Sequence, residues 1–351
     1  MKHIKIDGTS IGEGYSPYIV AELSGNHNGD INRAKKIIEL SKRSGANAVK
    51  LQTFKPDSIT LPSNRKEFLI NQGIWAGQTL YELYTKTCLP YEWHEELFAF
   101  AKNLGITLFS SPFSEKDVEF LETFDVPAYK VASNELTHLP LVAEIIKTGK
   151  PIILSTGTAS LEEIALVVNF LEKNGCENYI LLHCISAYPA PLTESCIANV
   201  QAIKKHFKCL VGLSDHSLGI VAPIVAVSLG ACFIEKHVTL KRNDGGSDSS
   251  FSLEPDELEQ LCISTKSAYQ SIGEPSFGYK ECEKKSPIFK RYYYAKCDIQ
   301  SGETLNMDNI IAVRSPEGIP SRDYKTVMGA IARNTIQKHT PIVYEDLTFN
   351  E

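Results

Sequence analysis

The chain lacks the signatures of several common protein classes. No Gly-x-Gly-x-x-Gly turn follows its first apolar run, which argues against a doubly wound dinucleotide-binding sheet. No two cysteines are spaced Cys-x-x-Cys. The nine present are odd in number and scattered, so they read as reduced thiols, several of them, such as Cys184 and Cys232, inside apolar strands. No stretch approaches the roughly 18 uninterrupted apolar residues of a membrane span. The opening Met1-Lys2-His3-Ile4-Lys5-Ile6-Asp7-Gly8 holds no apolar signal core, and a cytoplasmic location is expected. Positive charge is not in excess either: the formal net charge is -6, without the basic face of a nucleic-acid binder. An anionic substrate must therefore be held by locally placed lysines, arginines and backbone donors rather than by a global field. Neither an internal repeat nor a low-complexity tract interrupts the chain.

What is present suits a large soluble domain with an appendage. The 351 residues are 43% hydrophobic and 22% charged, enough to bury a sizeable core. Near-continuous apolar, β-branched runs recur at Tyr18–Glu22, Ala48–Thr53, Thr107–Phe113, Ala128–Ser133, Pro151–Thr156, Tyr179–Ser186, Leu210–Asp215 and Cys232–Val238. Strands of that texture are buried on both faces, as in parallel sheets. Helix signals lie between them: capping boxes at Ser114-x-x-Asp117 and Ser160-x-x-Glu163, and a third helix that Pro90 can open and Gly105 can end. Eight strand–helix alternations predict a (β/α)₈ barrel over residues 1–280. Lys280-Glu281-Cys282-Glu283-Lys284-Lys285 reads as a solvated linker, and residues 285–351 as a small second domain of short strands and turns.

Barrel enzymes place their chemistry at the carboxyl ends of the strands. Here those ends carry Glu22, Lys50 and Gln52, Ser110 and Ser111, Lys130 and Ser133, and Ser155 and Thr156. Ser186 and Tyr188, Ser214-Asp215-His216 and Glu235-Lys236-His237 complete the ring. Polar groups ending nearly every apolar strand are costly to bury without a purpose. Ion pairing with Glu22, Asp215 and Glu235 would explain either Lys50 or Lys130 alone; two lysines at one mouth favour a small multiply charged anion such as a phosphate or carboxylate. His216 and His237 end sequential strands, where neutral imidazoles can hold a divalent metal. Asn26-His27-Asn28-Gly29 reads equally well as a further site or as a βα turn. His183 and Cys184 read as core, and Trp75, Tyr81, Tyr84, Tyr91 and Trp93 as packing. The loop Lys241–Asp248 is either solvated or folded over the mouth, with Asp248 above it.

At these residues the chain resembles the sialic acid synthase family. The resemblance is carried by Ala21-Glu22-Leu23-Ser24-Gly25-Asn26-His27-Asn28-Gly29, Val49-Lys50-Leu51-Gln52-Thr53, Ser110-Ser111-Pro112-Phe113-Ser114 and Tyr129-Lys130-Val131-Ala132-Ser133. Leu154-Ser155-Thr156-Gly157, Gly212-Leu213-Ser214-Asp215-His216-Ser217 and Ile234-Glu235-Lys236-His237 extend it. Residues 285–347 resemble the family's C-terminal antifreeze-like (SAF, β-clip) domain. Gly73-Ile74-Trp75-x-Gly77-x-x-Leu80-Tyr81-Glu82-Leu83-Tyr84 and Asp248-Ser249-x-Phe251-Ser252-Leu253 resemble the pseudaminic acid-forming branch.

The resemblance implies a condensation of phosphoenolpyruvate with a 2,4-diacetamido-2,4,6-trideoxy-altrose-type sugar, needing manganese or magnesium held by His216 and His237. It implies phosphoenolpyruvate contacts from Lys50, Lys130, Ser111, Ser133, Ser155 and Ser214, and positions near the sugar and reacting carbons for Glu22, Gln52, Tyr188 and Asp248. It further implies a homodimer with exchanged C-terminal domains, in which Arg314 reaches the partner's sugar; here Arg314-Ser315-Pro316-Glu317-Gly318 departs from the Arg-Pro-Gly-x-Gly of many relatives. The alternatives are an N-acetylneuraminate or legionaminic acid synthase, a Schiff-base aldolase using Lys50, Lys130 or Lys236, and a non-catalytic sugar-binding protein.

Overall fold

The computed structural model describes residues 2–284 and 290–349. The chain divides into two compact units, Met1–Gly273 and Glu274–Glu351. The first opens with an antiparallel hairpin, β1 (His3–Ile6) and β2 (Thr9–Gly12). Eight parallel strands follow: β3 (Tyr18–Glu22), β4 (Ala48–Thr53), β5 (Thr107–Pro112), β6 (Tyr129–Val131), β7 (Ile152–Ser155), β8 (Tyr179–Cys184), β9 (Leu210–Asp215) and β10 (Phe233–His237). They close in sequence order, β10 pairing with both β9 and β3, so the expected (β/α)₈ barrel is what the chain forms. Every residue of these strands is buried except Gln52, which is partly exposed.

The helices start where local chemistry directs. Ser160 Oγ accepts the Glu163 N–H at 3.2 Å while the Glu163 carboxylate accepts the Ser160 N–H at 2.8 Å. Ser114 and Asp117 repeat the exchange at the helix Glu115–Glu122. The helix His94–Leu104 stops at Gly105, whose φ of 67° an L side chain adopts only under strain.

Period-two pleating sorts each strand into a lumen face and a helix face. Tyr18, Val20, Ala48, Phe109, Ala128, Ile153, Ile180, Leu182, Leu210 and Phe233 form an interior cluster, which Ile4, Ile6 and Ile11 of the hairpin join. The intervening Ile19, Ala21, Val49, Leu51, Leu108, Tyr129, Leu154, Leu181, Val211 and Ile234 pack outward in the cluster that includes the helices. Gly212 falls on the lumen face, where a Cβ would lie 2.3 Å from Phe233 O and 2.6 Å from Leu182 Cδ2, so no side chain fits. Carried to the carboxyl ends, the same parity aims Glu22, Lys50, Gln52, Ser111, Lys130, Ser155, Ser214, Glu235 and His237 into the lumen.

In the second unit, β11 (Arg291–Ala295) pairs antiparallel with β12 (Ile310–Arg314), and β13 (Ile331–Ala332) with β14 (Leu347–Thr348). Short bridges and turns wrap a core of its own that includes Tyr293, Ile299, Leu305, Ile310, Ile319, Val327, Ile336, Ile342 and Leu347. Within the expected linker, Glu281–Lys284 form one exposed helical turn and Lys285 lies outside the described residues. No helix among the described residues is long and apolar enough to cross a membrane.

Candidate active site

A cavity of about 200 Å³ opens at the carboxyl end of the barrel. At its floor sit two lysines and two carboxylates, each at most 4% exposed. Lys50 Nζ lies 3.1 Å from Glu22 Oε2 and 3.4 Å from Glu235 Oε1, and Lys130 Nζ lies 3.7 Å from that same Glu235 oxygen. Strand register makes the cluster: Glu22 pairs with Lys50 on one side and His237 on the other, and Glu235 pairs with Ser214. Gln52 donates to Glu22 Oε1 at 2.8 Å, and Ser214 Oγ to Glu235 Oε1 at 3.2 Å.

Burial pushes the Glu22 carboxyl up to about 7, against the pull of Lys50. For Glu235 burial also acts upward, but Lys130 and Lys50 together bring it below the usual carboxylate range. Burial lowers Lys130, whereas Glu22 and Glu235 overcome burial at Lys50 and raise it. Two carboxylates of one cluster thus differ in proton affinity, the condition for one to move a proton while the other stays charged.

Around the floor, hydroxyls and imidazoles face the same space. Ser155 Oγ, Ser186 Oγ, Glu235 Oε2 and His237 Nδ1 are buried without hydrogen-bond partners, which native proteins rarely tolerate away from a ligand site. Ser133 Oγ accepts the Gly157 N–H at 3.1 Å, and a Cβ on Gly157 would lie 2.6 Å from that oxygen. The His216 and His237 ring centroids are 5.2 Å apart. His216 Nδ1 lies 2.9 Å from Ile185 O; a carbonyl only accepts, so Nδ1 carries the proton and Nε2 keeps its lone pair. Burial, reinforced by the nearby positive charge of Lys50, holds His237 neutral, well below its ordinary range. Two neutral-capable imidazoles with free ring nitrogens fit a divalent cation. Among the described residues no group of three or more His, Cys, Asp or Glu is arranged to hold one, so water and substrate oxygens would fill the other positions.

The loop after β10 is tied down over the mouth. Ser24 Oγ donates to Asp248, whose Oδ2 lies 3.6 Å from His237 Nδ1. Trp75 Nε1 donates to Ser247 O at 2.9 Å, and Arg33 holds Asp244 at 2.7 Å. Asn26 Nδ2 bonds Val238 O at 2.8 Å and Ser252 Oγ at 2.9 Å, while Asn28 Nδ2 reaches Gly245 O at 3.1 Å. The Asn26–Gly29 segment is therefore a turn that anchors this loop.

Most residues singled out from the sequence line the cavity: Glu22, Lys50, Gln52, Lys130, Ser133, Ser155, Tyr188, Ser214, His216, His237 and Asp248. Ser111 sits behind Lys50, receiving its Nζ at 3.0 Å, and does not line the cavity. Arg314 ends β12 in the second unit. Lys236 is a correction: with Asp215 it points to the helix face, donating to that carboxylate and to Ser217 O, away from any lumen nucleophile role. Cys184 is another, since it faces the cavity with Sγ 3.8 Å from His216 Nδ1; His183 points outward to Ser195 O at 2.7 Å, as core. The aromatic group divides as well. Trp75 and Tyr84 line the cavity, whereas Tyr91 stacks on Phe120 and Trp93 packs edge-on to His27. Glu135 was not singled out; it follows β6 at the cavity wall, and burial lifts its carboxyl to about 7. The alternation that selects Glu235 over Lys236 was present in the strand itself.

Residues 37–276 match the NeuB family and residues 290–348 the SAF domain. Over 320 residues the chain is 40% identical to the pseudaminic acid synthase of Campylobacter jejuni subsp. jejuni, covering 91% of this chain and 93% of that one. It is 38% identical over 317 residues to the N,N'-diacetyllegionaminic acid synthase of the same subspecies, covering 90% and 95%. The crystal structure of the N-acetylneuraminic acid (sialic acid) synthetase from Leptospira borgpetersenii serovar Hardjo-bovis, in complex with citrate, superposes with a TM-score of 0.73 at 29% identity. It covers 81% of this chain and 94% of that one.

Proposed function

The chain belongs to the NeuB family, and on that premise we propose that it condenses phosphoenolpyruvate with 2,4-diacetamido-2,4,6-trideoxy-β-L-altropyranose to give pseudaminic acid and phosphate. The observation that carries this reading is 40% identity to a pseudaminic acid synthase spread over 91% of the chain. The buried Lys50–Glu22–Glu235–Lys130 cluster supports it, because a small, densely anionic substrate is what two lysines in a dry barrel mouth can hold.

In this reading Lys50 and Lys130 hold the phosphate and carboxylate of phosphoenolpyruvate, with Ser133, Ser155 and Ser214 donating to its oxygens and Ser111 fixing Lys50. The methylene carbon bonds to the aldehyde carbon of the open-chain sugar, whose oxygen takes up a proton. Water adds to the former enol carbon, and the bond from that carbon to the phosphate oxygen breaks, leaving a 2-keto acid. Glu22, beside Gln52 and Lys50, handles the proton of that water. Gln52, Tyr188 and Asp248 orient the sugar. When bound at His216 and His237, a manganese or magnesium ion supplies Lewis acidity at the aldehyde oxygen. Most of the acceleration comes from orientation and fixed charge. The enzyme works in the cytoplasm as a homodimer with exchanged C-terminal domains, Arg314 reaching the partner's sugar.

The test is phosphate release and product mass with manganese, phosphoenolpyruvate and, separately, the altrose-type sugar, a legionaminic acid precursor and N-acetylmannosamine. Turnover with the first alone supports the reading. Turnover with the second alone favours legionaminic acid synthesis, which the 38% identity to such an enzyme makes the second reading. Chelation with EDTA is expected to abolish phosphate release and added manganese to restore it; release that survives chelation would remove the metal from the scheme.

A further inference from the structure

We propose that an apolar end wall, built mainly by the segment between β4 and β5, makes the cavity select an acceptor sugar whose chain ends in a methyl group over one that ends in a hydroxymethyl group. The inference rests on the reading above and names the feature that sets its acceptor. The cavity has two chemically different ends. Lys50, Lys130 and Glu235 mark one. Trp75, Leu83 and Thr87 line both the cavity and an outer vestibule of about 590 Å³ that neither Lys50 nor Lys130 lines, so they mark the opposite end.

That end is apolar and firmly held. Phe54, Ile59, Tyr84 and Phe113 join Trp75 and Leu83 there, with Phe54 edge-on to Tyr84 at 5.8 Å and to Phe113 at 5.1 Å. Trp75 leans on Tyr188 at 5.2 Å. Leu83 is buried in a helix, Leu80–Thr87, fixed by a capping box between Thr79 and Glu82. Two donors at this end are spent within the protein, the Trp75 indole N–H on Ser247 O at 2.9 Å and the Thr87 hydroxyl on Leu83 O at 3.1 Å, and the polar groups of Gln78, Lys86 and Ser247 line the vestibule rather than the cavity.

The reaction fixes which part of the sugar arrives there. The new carbon–carbon bond forms at the aldehyde carbon, which must lie against phosphoenolpyruvate at the lysine end. The sixth carbon, at the other end of the open chain, then falls against the wall. A methyl group there leaves water for apolar contact, whereas a hydroxyl against Phe54, Ile59, Leu83 and Phe113 loses its water hydrogen bonds and gains no partner from those side chains. A hydrophobic site discriminates against an added hydroxyl by about a hundredfold.

The experiment measures kcat/KM by phosphate release with the full-length enzyme, manganese and phosphoenolpyruvate. It compares 2,4-diacetamido-2,4,6-trideoxy-altrose with its 6-hydroxy counterpart. The trideoxy sugar is expected to lead by about 10- to 100-fold. Ile59→Thr and Leu83→Asn, which put polar atoms into the wall, are expected to shrink that lead severalfold, while Tyr84→Phe leaves it in place. Both sugars are measured on one preparation, so loss of folded enzyme cancels from the ratio, and Ile59→Thr covers the case in which Leu83→Asn does not fold. Equal kcat/KM in the wild type, an unchanged ratio in the wall variants, or its collapse in Tyr84→Phe would overturn the inference while leaving the condensation intact. Absence of phosphate release with both sugars overturns the altrose-type acceptor of the proposed function, and the inference with it.

Discussion

Glu22 shows how much one environment decides. Its carboxyl is fully buried, bonded to Gln52 and paired with Lys50, and burial raises it from 4.5 to about 7. Glu22→Gln keeps the shape and the lysine cluster but cannot carry a proton. Turnover is expected to fall by about 10²–10⁴-fold, the range typical of lost general acid–base catalysis, with phosphoenolpyruvate binding nearly intact. Titration calorimetry and single-turnover kinetics separate the two; wild-type turnover would sink the proton role. The pH dependence has a defined sign. The folded carboxyl keeps its proton up to about 7 while the unfolded one releases it near 4.5, so this group erodes stability as pH rises between those values. Urea denaturation across pH 4.5–7 is expected to fall less steeply in Glu22→Gln than in the wild type.

At the level of the strand, a one-residue step changes a side chain's task. Glu235 and His237 face the lumen, while Lys236 between them faces the helices and holds Asp215. Both partners of that ion pair are buried. Lys236→Met would strand the Asp215 carboxylate and is expected to cost about 3–5 kcal/mol in urea denaturation. Adding Asp215→Asn is expected to recover a large part of the loss, as coupled partners do. The folded fraction of Lys236→Met keeps its turnover, because the lysine never meets the cavity; a loss of kcat out of proportion to folded protein would contradict the parity argument.

For the whole molecule the decisive question is where the second unit acts. The exchanged homodimer proposed above makes each active site a composite of one barrel and the partner's Arg314. Co-expression of Lys130→Ala and Arg314→Ala chains under separate tags tests this directly. Each homodimer lacks part of its site, but a heterodimer joins the intact barrel of the Arg314→Ala chain to the intact Arg314 of the other. Phosphate release recovered in the doubly tagged fraction is expected. Its absence there, with both chains folded, would put Arg314 in its own chain's site or outside the chemistry.

The barrel was legible in the sequence because it is written in local terms. Eight apolar runs, the capping residues Ser114 and Ser160 and the stop at Gly105 are each decided by near neighbours in the chain, and polar strand ends foretold the mouth. Tertiary structure alone decided which groups meet. Lys50 reaches both Glu22 and Glu235 only because closure of the barrel brings β10 against β3. Trp75 and Tyr84 looked like packing since an aromatic run has the same texture on a core and on a cavity wall, and Asp248 reaches the mouth only through hydrogen bonds from Ser24, Asn26 and Trp75 to its loop. Composition and periodicity state what each residue prefers locally; the shape of a cavity depends on distances between residues far apart in the chain, which only the closed barrel defines.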